Sequence, residues 1–262
     1  MYLFNRKALA AIGAAAVAMS GAAILFASPA QAATSAKAQV TGQRGSVVEF
    51  SAASGQTNSL TITVSGQTIT LNDRVAIKAG KGCKAIKGDR TKVRCTTVGV
   101  PGQVQVRLGN KNDKVVNKSS LPMVVDAGSG NDRVYGGSGV ETVYGGSGND
   151  TIHGNGGRDE LHGDTGNDWI RGGSGNDTLL GGSGRDNVFG DSGNDWVMGS
   201  VFDGDVPDGG DWLHGGTGND HVGGDAGNDR MWGNAGNDVL AGGPGRDQIS
   251  GGPGKDTIRH GW

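Results

Sequence analysis

Glycine fills 52 of the 262 positions, against a usual share of roughly 7%, and only 34% of the residues are hydrophobic. That leaves too little apolar volume for one conventional core of this length. Glycine has no three-residue period here and there are only six prolines, which excludes collagen. The formal charge of −2 hides a split: residues 127–262 hold 21 acidic and 8 basic side chains, a net of −13, whereas residues 33–126 hold 5 acidic and 14 basic, a net of +9. Such asymmetry marks a partner or an ion.

Residues 1–32 have the layout of a secretory signal peptide. Arg6 and Lys7 precede an uncharged stretch from Ala8 to Ala27, and Ala30 and Ala32 frame a small-x-small cleavage site. An uncleaved anchor is the other reading, since about 20 apolar residues span a bilayer. No later segment is apolar enough to do so, and the product is expected to be secreted, free or associated with the cell surface.

Residues 33–116 form a basic segment. Val47–Phe50, Leu60–Val64 and Thr68–Leu71 alternate apolar and polar residues between Gly55, Asn58, Gly66 and Asn72-Asp73, and Val98–Leu108 continues the pattern. This predicts short strands joined by turns. Cys83 and Cys95 are the only cysteines, and in an oxidising compartment the pair is expected to form a disulfide. Between them and around them, Lys78, Lys81, Lys84, Lys87, Arg90, Lys92 and Arg94 face one acid, Asp89. This cluster is a candidate contact for an anionic envelope or extracellular polymer. The other reading is a solvated loop closed by the disulfide. Nucleic acid is excluded as a partner, because no stacking aromatics interleave the charges. Gly109–Val115 reads as a worn repeat with Asp113 and Val115 in column, and residues 117–126 form a junction. The whole segment is expected to be a short β-rich cap covering the first edge of the acidic half of the chain.

From Ala127 the chain divides into blocks of nine, eight from 127 to 198 and six from 206 to 259, with residues 199–205 inserted between them. The fourth position is always glycine, the sixth always acidic and the eighth always aliphatic, from Val134 to Ile258. One inward aliphatic per nine residues, with glycine turns between, predicts a short strand and a tight turn. Their repetition predicts an all-β, parallel β-solenoid in which two blocks make one coil, about seven coils in all. Block 206–214 lacks both leading glycines, so the insertion is expected to bulge from the solenoid there. Stacking the coils also lines the sixth-position acids into rows of like charge along the edges. A hard divalent cation held by carboxylate and backbone oxygens in flexible turns answers that repulsion, and calcium suits such a cage better than magnesium.

These blocks resemble the repeat-in-toxin (RTX, haemolysin-type) calcium-binding nonapeptide. The resemblance implies a parallel β-roll binding several Ca2+ ions through turn carbonyls and the sixth-position carboxylates. Here these are Asp132, Glu141, Asp150, Asp159, Asp168, Asp177, Asp186, Asp195, Asp211, Asp220, Asp229, Asp238, Asp247 and Asp256, of which Glu141 departs by being one methylene longer. More loosely, the layout of signal, Thr/Val-rich strands, one cysteine pair and nonapeptides is similar to exported actinobacterial calcium-binding proteins. Relatives of this kind often carry a hydrolase before the roll. Here no His-Glu-x-x-His, Gly-x-Ser-x-Gly or Walker loop occurs, and all five histidines lie in or after the repeats, which reads as no enzyme. Trp169, Trp196 and Trp212 at seventh positions, with Tyr135, Tyr144 and Trp232 at ninth positions, are expected to face outward. They serve either to pack neighbouring coils or as platforms for a glycan-binding module.

Overall fold

The computed structural model describes residues 35–42, 45–200 and 209–260. The expected signal peptide and most of the insertion lie outside them. Among the described residues every regular element is a strand, and the chain is an all-β parallel solenoid.

The strands of the basic segment are β1 (Ala36–Thr41), β2 (Val47–Ser51), β3 (Ser59–Ser65), β4 (Thr68–Asn72), β5 (Ile77–Ala79), β6 (Cys83–Ile86), β7 (Asp89–Thr96), β8 (Gln103–Arg107), β9 (Lys114–Asn117) and β10 (Met123–Asp126). Each of the fourteen nonapeptides then adds one strand, from β11 (Arg133–Tyr135) to β24 (Thr257–Arg259). Odd strands from β9 stack in one sheet and even strands from β10 in the other, giving about eight coils. Parallel register pairs Val134 with Ile152 and Val143 with Leu161, so two blocks do make one coil.

The eighth-position aliphatics meet between the two sheets. From Val134 to Leu240 they are buried, while Ile249 is partly covered and Ile258 is 40% exposed at the edge strand. One side chain per strand suffices as a core because each coil rests on its neighbours.

Both sheets run on into the basic segment. β8 lies between β2 and β10, and β9 between β3 and β11, all parallel. Val48, Phe50, Leu60, Ile62, Val104, Val106 and Val115 carry the same core onward. The pairing then turns antiparallel, β1 on β2 in one sheet and β4, β7 and β6 in succession beyond β3 in the other. The expected strands at 47–50, 60–64 and 68–71 form β2, β3 and β4. Val98 and Val100, expected to lie in a strand, are 74% and 84% exposed in the bend before β8.

The basic stretch differs from the expected loop: it folds as β5, β6 and β7, because Ile77, Val93 and Cys95 alternate inward while the cations point out. Cys83 and Cys95 stand opposite each other across β6 and β7 and are joined by a disulfide. Lys78, Lys81, Lys84, Lys87, Arg90 and Arg94 are exposed, and half-buried Lys92 pairs with Asp89 at 3.5 Å.

Candidate metal centre

The fourteen sixth-position carboxylates stand where the turns enter the strands, and the fold sorts them into two rows. Asp132, Asp150, Asp168, Asp186, Asp211, Asp229 and Asp247 follow one edge; Glu141, Asp159, Asp177, Asp195, Asp220, Asp238 and Asp256 follow the other. Within each row the backbone N–H of one acid donates to Oδ1 of the acid one coil further on. The distance is 2.7 Å from Asp132 to Asp150 and 2.8 Å from Asp159 to Asp177. Thus one oxygen of each carboxylate is taken by the main chain.

The other oxygen is not. Oδ2 of Asp132, Asp150, Asp159, Asp168, Asp177, Asp195, Asp220 and Asp238 is buried without a hydrogen-bond partner, as is Oε2 of Glu141. Buried polar atoms are normally satisfied, so a run of orphaned anionic oxygens in one structural position has the chemistry to hold a cation. Their surroundings fit one. At the point where a Cβ on Gly145 would stand, Asp150 Oδ2 is 2.6 Å away and the Gly163 carbonyl oxygen of the next coil 2.7 Å away. The same pairing of carboxylate and carbonyl recurs at Gly154, Gly163, Gly172, Gly215 and Gly233. At these first positions a side chain would fill an oxygen-lined cradle; among the described residues only the first block, with Ala127, departs from glycine there. Among the described residues no three His, Cys, Asp or Glu side chains converge on one point. The donor set is one carboxylate with main-chain carbonyls, hard oxygens that match calcium rather than a soft metal.

Burial drives the carboxyls upward, with neighbouring acids adding to it. Asp132, Asp159, Asp168 and Asp195 are pushed to about 7 and Glu141 to about 8. Asp150 and Asp177 are raised for the same reason, desolvation first.

The rows extend beyond the nonapeptides. Asp113, in the worn repeat, takes the place before Asp132: its N–H donates to Asp132 Oδ1 at 2.7 Å, and its own Oδ1 accepts from the Asn58 N–H. Asn58 ends that row, and Asn117, whose Nδ2 donates to Glu141 Oε1 at 3.2 Å, ends the other. Both terminators are neutral amides.

The insertion leaves the rows intact. Asp186 N–H reaches Asp211 Oδ1 at 2.8 Å across 25 residues instead of 18. Gly199 supplies the first-position space beside Asp211, standing in for the glycine absent from block 206–214.

Two further features of the turns lie outside the three columns. Fifth-position asparagines form a second ladder in the opposite direction: Asn149 N–H donates to Asn131 Oδ1 at 3.0 Å, and Asn167 N–H to Asn149 Oδ1 at 2.9 Å. The recurrent Gly-Asn-Asp triplet is the sequence signal that sequence reasoning missed. Second positions in most turns adopt positive φ, and among the described residues where glycine is absent only Asn155, Asp164, Asp191, Asp225 and Asn234 stand there. Asn and Asp are the non-glycine residues that enter this region most readily.

Outside the rows, Trp169 and Trp212 are exposed as expected. The histidines interleave with the other aromatics: His153 stacks on Tyr135, His221 on Trp196, and His214 lies between Phe189 and Trp232.

A two-sheet parallel roll edged with oxygen-lined turns defines a cation-binding solenoid. The family model of the RTX calcium-binding nonapeptide repeat matches residues 124–152, 135–170, 153–188, 162–197, 208–240 and 232–262. Across 124–262 the chain belongs to the RTX calcium-binding nonapeptide-repeat family, and its roll is a calcium-binding structural unit. No curated protein matches the chain.

Proposed function

We propose that this chain is an exported structural protein whose roll is completed by extracellular calcium, with the fourteen sixth-position carboxylates as ligands. The observation that carries this reading is the row of buried carboxylate oxygens without partners, which beside Gly145, Gly154, Gly163, Gly172, Gly215 and Gly233 share with a backbone carbonyl a space that glycine keeps clear. Bound calcium would supply the positive charge that turns repulsion along each row into attraction between coils. The chain itself does the rest. Oδ1 of each acid fixes the carboxylate against the neighbouring coil, the first-position glycine keeps the cradle open, and the aliphatic column closes the core. Each ion that binds only the folded roll adds RT ln(1 + [Ca]/Kd) to its stability. A chain made where calcium is scarce would stay unfolded through export and fold outside. His153, His162, His214 and His221 lie against neighbouring rings as part of the outer sheet faces.

Circular dichroism of the chain from Ala33 during a calcium titration, with magnesium as control, tests this. A cooperative coil-to-β transition in calcium alone is expected. A spectrum already rich in β-structure in chelator and unmoved by calcium overturns the proposal.

A further inference from the structure

The outer face of the odd-stranded sheet carries aromatic and cationic groups that calcium binding does not use. Along it, Trp169, Asn187, Trp212 and Arg230 occupy successive coils in register at seventh positions. Beside them runs a ring stack: Trp169 lies 5.1 Å from Phe189, Phe189 4.9 Å from His214, and His214 4.4 Å from Trp232, which meets Trp212 edge-on at 6.3 Å. The stack props up the two outermost indoles, and Trp169 and Trp212 remain 45% and 42% exposed. Two coils separate them, roughly 9.5 Å at the usual strand spacing.

At Trp212 this face opens into a cleft of about 510 Å³ lined by Arg185, Asn187, Gly210, Trp212, Asn228 and Arg230. Arg185, Asn228 and Arg230 are exposed there. On the same sheet Arg171 is held by a bidentate pair with Asp191. Neither Arg185 nor Arg230 forms an ion pair among the described residues, and the Arg230 guanidinium sits over the Trp212 ring at 5.1 Å. Two guanidiniums without an ion pair among the described residues line this cleft with the half-exposed Trp212 indole, a local cationic patch in a half of the chain that carries −13.

We propose that this cleft binds an acidic saccharide. The apolar face of a pyranose ring stacks on the Trp212 indole, its carboxylate or sulfate takes the planar fork of Arg185 or Arg230, and the Asn187 and Asn228 amides meet ring hydroxyls. A longer chain laid across the strands reaches Trp169 as a second platform. The class follows from the combination: an aromatic floor alone would accept neutral sugars, and guanidiniums alone would accept any anion.

The test is calorimetry and tryptophan fluorescence of the full chain in excess calcium, titrated with a short galacturonate oligosaccharide and with its neutral galactose counterpart. Circular dichroism of each variant verifies that the roll stays folded. Binding of the acidic oligosaccharide and not the neutral one is expected, weakening with salt. Trp212→Ala, and separately Arg185→Gln with Arg230→Gln, should each weaken it roughly tenfold or more. Lys84→Gln with Lys87→Gln, in the basic cap, should leave it unchanged. Undiminished binding in the Trp212 and arginine variants, loss in the cap variant, equal binding of the neutral sugar, or no binding by a folded chain would each overturn the proposal.

Discussion

At Asp177 the two oxygens of a single carboxylate stand in different surroundings. Its Oδ1 accepts the Asp159 N–H at 2.8 Å, and its Oδ2 is the buried oxygen without a partner. Asp177→Asn keeps the amide oxygen for the neighbouring coil and removes the charge from the cradle. If Oδ2 is a ligand, the calcium midpoint should rise nearly as far for the Asn variant as for Asp177→Ala; a charge-assisted contact carries about 1.5–3 kcal/mol. A midpoint unmoved in Asp177→Asn would make this acid a structural acceptor only. Gly145→Ala tests the cradle from its other wall, because the new methyl would stand 2.6 Å from Asp150 Oδ2 and 2.7 Å from the Gly163 carbonyl oxygen. Crowding of that kind costs about 1–3 kcal/mol, so a raised calcium midpoint is expected. Ser183→Ala, at a half-buried third position two coils along, should leave the midpoint alone. The same carboxylates set the pH response of the metal-free chain. Burial lifts Asp132, Asp159, Asp168 and Asp195 from 3.8 to about 7. Between those values the folded form binds protons that the unfolded chain has lost, so its stability falls as pH rises through that window. In chelator, therefore, the β-sheet signal should grow as pH is lowered from neutrality toward the ordinary carboxylate range. A signal flat across that interval would show that these groups are not buried in the metal-free fold.

At the scale of the elements, the roll was legible and much of the cap was not, for a physical reason. Each roll strand is specified locally: glycine, acid and aliphatic recur every nine residues, and the partner strand lies 18 residues away in coils such as those of Val134 and Val143. The cap depends on pairings that no period announces. β8 inserts between β2 and β10, over fifty residues from β2 in sequence. β5 to β7 and the turns between them carry seven cations, so their composition resembles a loop while Ile77, Val93 and Cys95 decide otherwise. The sixth-position column could be picked out from the sequence, but the different surroundings of its two carboxylate oxygens could not. The cystine hairpin is the element least bound to the roll, since β6 pairs with β7, β7 with β4 and β4 with β3 before β9 is reached. Cys83→Ser with Cys95→Ser opens a loop of sequence separation 12 and should destabilise the hairpin by about 3 kcal/mol. All five tryptophans lie at Trp169 or beyond, so their fluorescence reports the roll alone. Amide exchange should accelerate in β6 and β7 while the fluorescence-detected calcium midpoint stays in place. A midpoint that shifts with the disulfide would show the hairpin to be coupled to the whole stack.

The stack of coils within residues 35–260 is nearly one-dimensional: each coil is supported by the coils on either side, so the ends matter more than in a globular domain. The two ends differ. At the C-terminal end β23 (Gln248–Ser250) and β24 are the outer strands of their sheets, and Ile249 and Ile258 are incompletely covered. At the other end, the change from parallel to antiparallel pairing at β1 and β4 stops the stack, and neutral Asn58 and Asn117 close the two carboxylate rows. The basic segment is thus built into the sheets, with β2 and β3 forming a coil that needs no calcium row of its own. Such a coil gives the first nonapeptides an ordered surface to stack upon, and this lowers the nucleation cost that an isolated repeat array must meet. Removing residues 33–108 would strip β8 from β10 and β3 from β9, leaving two unpaired edges. Two consequences are expected in calcium: a higher calcium midpoint, because the first coil loses its template, and association through the new edges. Sedimentation across a range of concentrations, read beside the calcium titration, checks both. A truncated chain that stays monomeric and folds at the same calcium concentration would show that the roll nucleates within its own repeats.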